Sequence, residues 1–299
     1  MNNLPSMEDL RLFCMVVHKQ SFAASALEMG VSKALISKRI AVLESMLQAR
    51  LLHRTTRKVS ATESGHIVYQ WAQRILEDAE QMAEAISSSK IVPRGLLRVC
   101  TSSGFGRNHL SRAVSAMAQR YPELEFQLEL LDRPVDLVRE GFDLDIRIGA
   151  VHEESLITKL IARNARVLCA SSAYLEQWGT PARLADLIQH KCIVIRERDQ
   201  EFGRWKLEGS DGAETVRISG PLSANNGEIA HRWAIDGHGI ILRSMWDVGP
   251  SLKRGELKRV LPDYGQEANV WAVYPSRLST SAKVRVCVQF LEEWLATNV

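Results

Sequence analysis

Seven cations and a single acid fall between Gly30 and Ser60: Lys33, Lys38, Arg39, Arg50, Arg54, Arg57 and Lys58 against Glu44. The local charge is +6 in a chain whose total is +3. A solvated helix face normally mixes signs, so this excess reads as a surface that neutralises phosphates. Ser32 and Lys33 open an apolar-periodic segment there and are placed to read base edges of a duplex. Lys38 and Arg39, further along the same segment, are expected on the backbone, with Ser37 beside them. Arg54, Thr55, Arg57 and Lys58 form a shorter cluster suited to phosphates or a minor groove. Ser21 lies ahead of both clusters.

A different chemistry is written into the rest of the chain. Thr101-Ser102-Ser103-Gly104-Phe105-Gly106-Arg107-Asn108-His109 joins a strand-like run to a helical one. Amides and hydroxyls at such a junction make an anion site; Gly104 and Gly106 let backbone approach a ligand, and Arg107 or His109 supplies charge. Arg147-Ile148-Gly149, Arg196-Glu197-Arg198-Asp199 and Asn225-Asn226-Gly227 end or follow other strand-like runs. Ser102, Ser103, Gly104, Phe105, Arg107, Arg147, Ile148, Gly149, Arg198, Asn225, Asn226 and Gly227 together describe a cleft for a small polar anion. Simpler readings stand beside this one. Arg147 can pair with Asp143 or Asp145, Asn225-Asn226-Gly227 can be a turn and cap, and Arg196 and Arg198 can be a solvated cluster with Glu197 and Asp199.

Catalytic and cofactor signatures are missing. His152-Glu153-Glu154-Ser155-Leu156 has leucine where a second zinc-binding histidine would stand, and neither a Gly-x-Ser-x-Gly elbow nor a Walker loop occurs. Gly104-Phe105-Gly106 lacks the third glycine of a dinucleotide fingerprint and its acidic strand end. Cys14, Cys100, Cys169, Cys192 and Cys287 are scattered without a Cys-x-x-Cys pair and read as reduced core thiols. No metal and no cofactor is expected. No apolar run approaches the roughly 20 residues of a bilayer span. Residues 1–9 have neither the cationic start nor the apolar stretch of a signal peptide. The expectation is a cytoplasmic protein with no membrane partner.

The functional groups need rigid supports. Ser6 can cap a first helix, with Asp9 at its third position, and Leu10, Phe13, Val16 and Val17 follow at helical spacing. Ser21 can cap a second helix at residues 22–29 and Ser32 a third, with Gly30-Val31 as the turn between them. That unit lays a recognition helix in the major groove. Residues 54–60 read as a hairpin wing. From Thr62 a long helix carries Val68, Trp71, Ile75, Ala79, Met82 and Ile86 at intervals of three and four. This seam packs on its own domain or, fitting better, on a second copy of itself. Residues 87–95 are a linker by composition. Beyond it, residues 96–100, 125–131, 145–148, 167–170, 192–195, 219–223, 239–242 and 270–274 read as strands. Residues 110–120, 135–140, 232–236 and 282–296 read as helices, giving an α/β region of parallel strands covered by helices.

Several of these segments carry a resemblance. Asp9-Leu10-Arg11-Leu12-Phe13, Ser21-Phe22-Ala23-Ala24-Ser25-Ala26-Leu27, Val31-Ser32 through Ile40, Leu43-Glu44, Leu51-Leu52-His53-Arg54-Thr55-Thr56-Arg57 and Thr62-Glu63-Ser64-Gly65 resemble the LysR-type transcriptional regulators. The likeness extends over essentially the whole chain. Lys33-Ala34 departs from the family's frequent Gln-Pro, so the usual base contacts there are not carried over. The resemblance implies a winged helix-turn-helix domain at 1–61, a linker and dimerisation helix at 62–89 and an effector-binding domain at 90–299. That last domain would be like a type 2 periplasmic binding protein, with lobe I at about 95–164 and 268–299 and lobe II at about 165–267. It also implies a homodimer or homotetramer, double-stranded operator DNA and a small carboxylate effector as partners, with RNA polymerase a further candidate.

A narrower likeness lies in Gly104-Phe105-Gly106-Arg107, Tyr121-Pro122-Glu123-Leu124, Asp143-Leu144-Asp145-Ile146-Arg147-Ile148, Arg243-Ser244-Met245-Trp246-Asp247-Val248 and Trp271-Ala272-Val273-Tyr274. These look like the LysR-type activator of tartrate dehydratase genes and its malate-responsive relatives, which points to a hydroxy-dicarboxylate effector. Two other classes fit less of the chain. An enzyme acting on a small acid lacks an activated nucleophile or metal site, and a solute-binding protein would need an export signal.

Overall fold

The computed structural model describes residues 4–54, 59–86, 93–151, 153, 155–196, 202–210, 212–278 and 281–298. Thr55, Arg57, Lys58 and Arg198 lie outside the described residues, as do the side chain of Arg54 and most of the expected linker. The chain divides into two compact units, Met1–Ile91 and Val92–Val299.

The first unit begins with α1 (Met7–Lys19), α2 (Phe22–Met29) and α3 (Lys33–Met46). Ser6 Oγ accepts from the Asp9 N–H at 3.1 Å while the Asp9 carboxylate receives the Ser6 N–H at 3.4 Å. Such a reciprocal box is worth about 1 kcal/mol. Ser21 and Ser32 cap α2 and α3 by accepting from Ala24 and Leu35, each at 3.2 Å. Gly30 ends α2 at φ +65°, the left-handed region that glycine enters without a Cβ penalty. Leu12, Phe13, Val16, Ile36, Ile40 and Leu43 form the core, with Leu51 from the following chain. The antiparallel pair β1 (Leu52–Arg54) and β2 (Val59–Ala61) places His53 opposite Ser60.

The long helix α4 (Glu63–Ile86) follows. Its apolar positions separate onto two sides. Val68 and Tyr69 pack against the domain core and Ala72 is buried, while Ile67, Trp71, Ile75 and Met82 are 55%, 57%, 40% and 65% exposed. The expected seam is therefore shared: Val68 serves its own domain, Trp71, Ile75 and Met82 turn outward with Ile67 beside them, and the side chain of Ile86 lies outside the described residues.

The second unit opens with β3 (Gly95–Thr101). A short helix α5 (Ser103–Phe105) passes through a π turn at Gly106–Leu110 into α6 (Ser111–Arg120). Next come β4 (Leu124–Leu130), α7 (Leu137–Glu140), β5 (Leu144–Ile148), β6 (Leu156–Ala162), β7 (Ala165–Ala170), α8 (Ser172–Trp178), β8 (Val194–Ile195), β9 (Arg204–Gly209), β10 (Gly212–Arg217) and β11 (Ser223–Ala224). The chain ends with α9 (Gly227–Ile235), β12 (Ile241–Ser244), α10 (Met245–Lys253), β13 (Lys258–Arg259), β14 (Gly265–Glu267), β15 (Val270–Pro275) and α11 (Ala282–Asn298).

Two sheets make two lobes. The first has the order β4-β3-β5-β15-β6 and the second β10-β9-β14-β7-β12, with β13 also on β7. The expected arrangement of parallel strands holds only in part. β3 runs parallel to β4 and β5, but β15 is antiparallel to β5 and β6, and every pairing in the second sheet is antiparallel. The reason is connectivity: β9 and β10 form a hairpin, and β15 re-enters the first sheet only after the whole second lobe is built. The expected strand at 219–223 is in fact a two-residue strand, β11, paired parallel to β8.

The chain passes between lobes twice, and the crossings are bonded to each other. Asn164 Nδ2 donates to the Ala268 carbonyl at 2.7 Å, Ala268 N–H to the Asn164 carbonyl at 2.9 Å, and Asn164 N–H to Asn269 Oδ1 at 3.0 Å. Phe105, Leu110, Met117, Leu144, Ile146 and Leu291 belong to the core of the first lobe, and Leu168, Tyr174, Trp205, Leu207 and Ile240 to that of the second.

Candidate functional site

In the first unit, burial of Ile36, Ile40 and Leu43 dictates which side of α3 faces outward. Ser32, Lys33, Ala34, Leu35 and Lys38 are exposed, and Ser37 is half-buried. The Ser32 hydroxyl is engaged as a cap but keeps its proton available, because it only accepts there. The remaining free face therefore carries hydroxyls, two ammonium groups and the apolar Ala34 and Leu35.

Arg39 departs from its expected role. Its Nε stands 2.6 Å from Asp9 Oδ1, and its Nη2 lies 2.8 Å from Glu8 Oε2 and 3.1 Å from Ser6 Oγ. The guanidinium fastens α3 to the first turn of α1, where acids favour the helix dipole. A group already opposed by two carboxylates has little charge left for phosphate.

In the second unit, β3 and β5 run parallel with Thr101 opposite Ile146. Beyond this pair Ser102-Ser103 and Arg147-Ile148-Gly149 therefore come to the same end of the sheet, where α/β folds bind ligands. The Ser103 backbone N–H is engaged there by Asp132 Oδ1 at 2.8 Å. Asp132 Oδ2 accepts from Asn226 Nδ2, on the second lobe, at 3.0 Å. Asn226 also caps α9, its Oδ1 accepting from Glu228 at 3.1 Å and Ile229 at 3.2 Å, so its cap reading and its site reading both describe it. Arg107 forms an ion pair with Glu228 across the lobes, and Asn108 Nδ2 donates to Glu228 at 3.3 Å. Asn225 is exposed.

Gly104 and Gly106 serve packing, not the open loop expected of them. A Cβ on Gly106 would lie 2.1 Å from Leu130 Cδ2, and one on Gly104 3.3 Å from the Trp246 ring and 3.4 Å from Glu228 Cγ. Phe105 is fully buried and meets Trp246 edge-on at 5.4 Å; His109 does the same at 5.3 Å. Burial, and then the nearby charge of Arg112, lower the His109 pKa, so the ring is held neutral.

Arg147 is corrected to a structural role. It is 4% exposed, with Nε 3.1 Å from Asp145 and Nη1 2.7 Å from Glu153. On a strand its side chain points opposite to Ile146 and Ile148. Gly149 borders a separate cavity of about 470 Å³ with Lys206, Gln266, Asn269 and Trp271 among its lining.

A buried network on the second lobe escaped sequence reasoning. Arg243 Nε donates to Asp247 at 2.7 Å, His231 Nδ1 lies 3.0 Å from the same carboxylate, and His231 Nε2 is 3.1 Å from Ser251 Oγ. Because the carboxylate only accepts, Nδ1 carries a proton and donates to it. Burial by itself would raise the Asp247 pKa, but the His231 hydrogen bond and the Arg243 charge outweigh it and hold the carboxyl below its ordinary range. A depressed folded value means stability that is present above about pH 4 and lost as pH falls through the folded pKa. Asp247→Asn should therefore lower Tm at neutral pH and flatten the acid limb of a Tm-against-pH curve; an unchanged limb would dissociate Asp247 from acid unfolding.

Arg243 also makes Gly227 indispensable. A Cβ there would stand 2.0 Å from Nη1 and 2.2 Å from Cζ of a guanidinium that Asp247 holds in place. Gly227→Ala should cost about 2–3 kcal/mol, read as a lower Tm of the Val92–Val299 unit; a wild-type Tm would mean that Arg243 yields.

Among the described residues no group of three or more His, Cys, Asp or Glu side chains is placed to hold a metal ion, and no helix is long and apolar enough to cross a membrane. Burial pushes the thiols of Cys14, Cys169, Cys192 and Cys287 up to about 12, which suits inert core groups.

Comparisons with known proteins agree with both halves. Residues 7–66 match the family described as bacterial regulatory helix-turn-helix protein, lysR family, and residues 91–296 match the LysR substrate binding domain. The chain is 52% identical to the HTH-type transcriptional regulator DmlR of Escherichia coli K12, covering 100% of this chain and 97% of that protein. It is 42% identical to the HTH-type transcriptional activator TtdR of the same strain, covering 98% and 95%. Among solved structures, the full-length virulence activator AphB of Vibrio cholerae matches with TM-score 0.58 at 27% identity, covering 97% of this chain and 99% of that one. The regulator CrgA of Neisseria meningitidis matches with TM-score 0.59 at 27% identity, covering 96% and 97%. With helix-turn-helix and substrate-binding halves both matched, and whole-length relatives that are transcriptional regulators, the chain belongs to the LysR family of transcriptional regulators.

Proposed function

We propose that this regulator grips operator DNA with the exposed face of α3 and the β1–β2 hairpin, and that a small hydroxy-dicarboxylate such as malate or tartrate bound between its two lobes alters the DNA complex. The observation that carries the DNA half is the outward face of Ser32, Lys33, Ser37 and Lys38, held by a buried apolar row. Ser32 and Lys33 read base edges; Lys38, with Arg54, Arg57 and Lys58, holds phosphates. Ser21 and Thr55 complete this surface. Two copies pair through the outward stripe of α4, forming a homodimer and from it a homotetramer, so each arm occupies one half-site about 34 Å or a multiple from its mate. The cytoplasm, where DNA is met, is the working location, and RNA polymerase is a further partner.

The effector half is supported by motif likeness to regulators of tartrate and malate use and by a cleft whose donors are Ser103 N–H, Arg107, Asn108 and Asn226. The whole-length relatives leave the enzyme reading without support. A thermal-shift screen of the full chain tests the effector: malate or tartrate should raise Tm by several degrees, acetate should not, and Asn226→Ala should shrink the shift. Equal responses to all three acids would refute a dicarboxylate site.

Arg39 offers a sharp test of the DNA surface. Since its guanidinium serves Glu8 and Asp9, Arg39→Ala should lower stability by about 1 kcal/mol while leaving the salt dependence of DNA binding unchanged. A flattened slope in a gel-shift titration would return Arg39 to the phosphates.

A further inference from the structure

Two carboxylates bridge the lobes from opposite sides. Asp132, just past β4 on the first lobe, accepts from Asn226 of the second lobe at 3.0 Å as well as from the Ser103 N–H at 2.8 Å. Glu228, in the first turn of α9 on the second lobe, pairs with Arg107 and accepts from Asn108 at 3.3 Å, both on the first. Gly104 brings backbone against Glu228, with room for a Cβ only at 3.4 Å from Cγ. The Ser103 N–H, Asn226, Arg107 and Asn108 are thus each engaged by one of two acids of the chain itself.

We infer that Asp132 and Glu228 are internal stand-ins for the two carboxylates of the effector: they latch the lobes together, and a dicarboxylate binds by displacing them from Ser103, Asn226, Arg107 and Asn108. This rests on the reading of the cleft as a dicarboxylate site and adds how that site is regulated. A dianion cannot share these donors with two more negative charges, so latch and ligand are mutually exclusive. The tethered acids compete at an effective concentration of order millimolar, and apparent affinity falls by the fraction of molecules whose latch is closed. The Arg107 side chain is 59% exposed and that of Glu228 27%, so their attraction is screened by water and the latch is one a metabolite can break.

The test uses the full-length protein with Asp132→Ala and Asp132→Asn, and acetate, malate and tartrate as probes. Asp132→Ala empties one carboxylate position; Asp132→Asn removes the charge but keeps an oxygen for the Ser103 N–H. Acetate should raise Tm in Asp132→Ala alone, and malate or tartrate should bind that variant about tenfold more tightly than wild type by calorimetry. An equal acetate response in all three proteins, or a wild type that binds malate or tartrate as tightly as the alanine variant does, overturns the latch. If wild type and variant both ignore malate and tartrate while acetate stabilises Asp132→Ala alone, the internal carboxylate site stands and the choice of effector fails.

Discussion

Replacing Lys33 and Lys38 together with glutamate should weaken operator binding at least a hundredfold and abolish it at physiological salt. The two single alanine variants separate the causes. Lys38→Ala should weaken binding to all sequences alike and reduce the slope of log affinity against log salt by about 1, the signature of one lost phosphate contact. Lys33→Ala should instead cost about 1–3 kcal/mol on the preferred site and far less on others, because a base-edge contact carries sequence information. Gel-shift titrations on a duplex selected by the protein from random sequence, at several salt concentrations, measure both. Equal losses on preferred and random duplexes for Lys33→Ala would move that residue to the backbone.

Trp71→Glu combined with Ile75→Glu should turn the assembled protein into monomers. Both residues are turned out to solvent on α4, 57% and 40% exposed, in line with Ile67 and Met82. Burying a large apolar side chain is worth roughly 1.5–3 kcal/mol, and a twofold contact counts each residue twice. Placing four carboxylates in that seam should raise the dissociation constant by several orders of magnitude. Sedimentation of the wild type and the variant gives the assembly directly, and footprinting should show protection shrinking from two half-sites to weak cover of one. A double variant that sediments as wild type would remove α4 from the interface.

The N-terminal unit was legible because its signals are local. A serine three residues before a paired acid, a glycine between two short apolar-periodic segments and a cationic face opposite Ile36, Ile40 and Leu43 each act within one or two helical turns. Backbone sterics and side-chain period dictate their outcome with little help from elsewhere. Family motifs extended this to the second unit's class.

The partners of individual charges were a matter of tertiary packing. Arg39 looks like any other cation of the basic stretch until α1 brings Glu8 and Asp9 to it from some thirty residues away. Arg147 sits in a plausible site motif, yet in the fold it is buried and paired with Asp145 and Glu153. Gly104 and Gly106 spell a ligand loop in one dimension and are close-packing points in three. Asp132 and Asn226 are 94 residues apart, and Arg107 and Glu228 121. No periodicity relates such pairs. Long-range charge pairing is chosen by the geometry of the folded lobes, whereas caps, turns and amphipathic faces are chosen by neighbours along the chain.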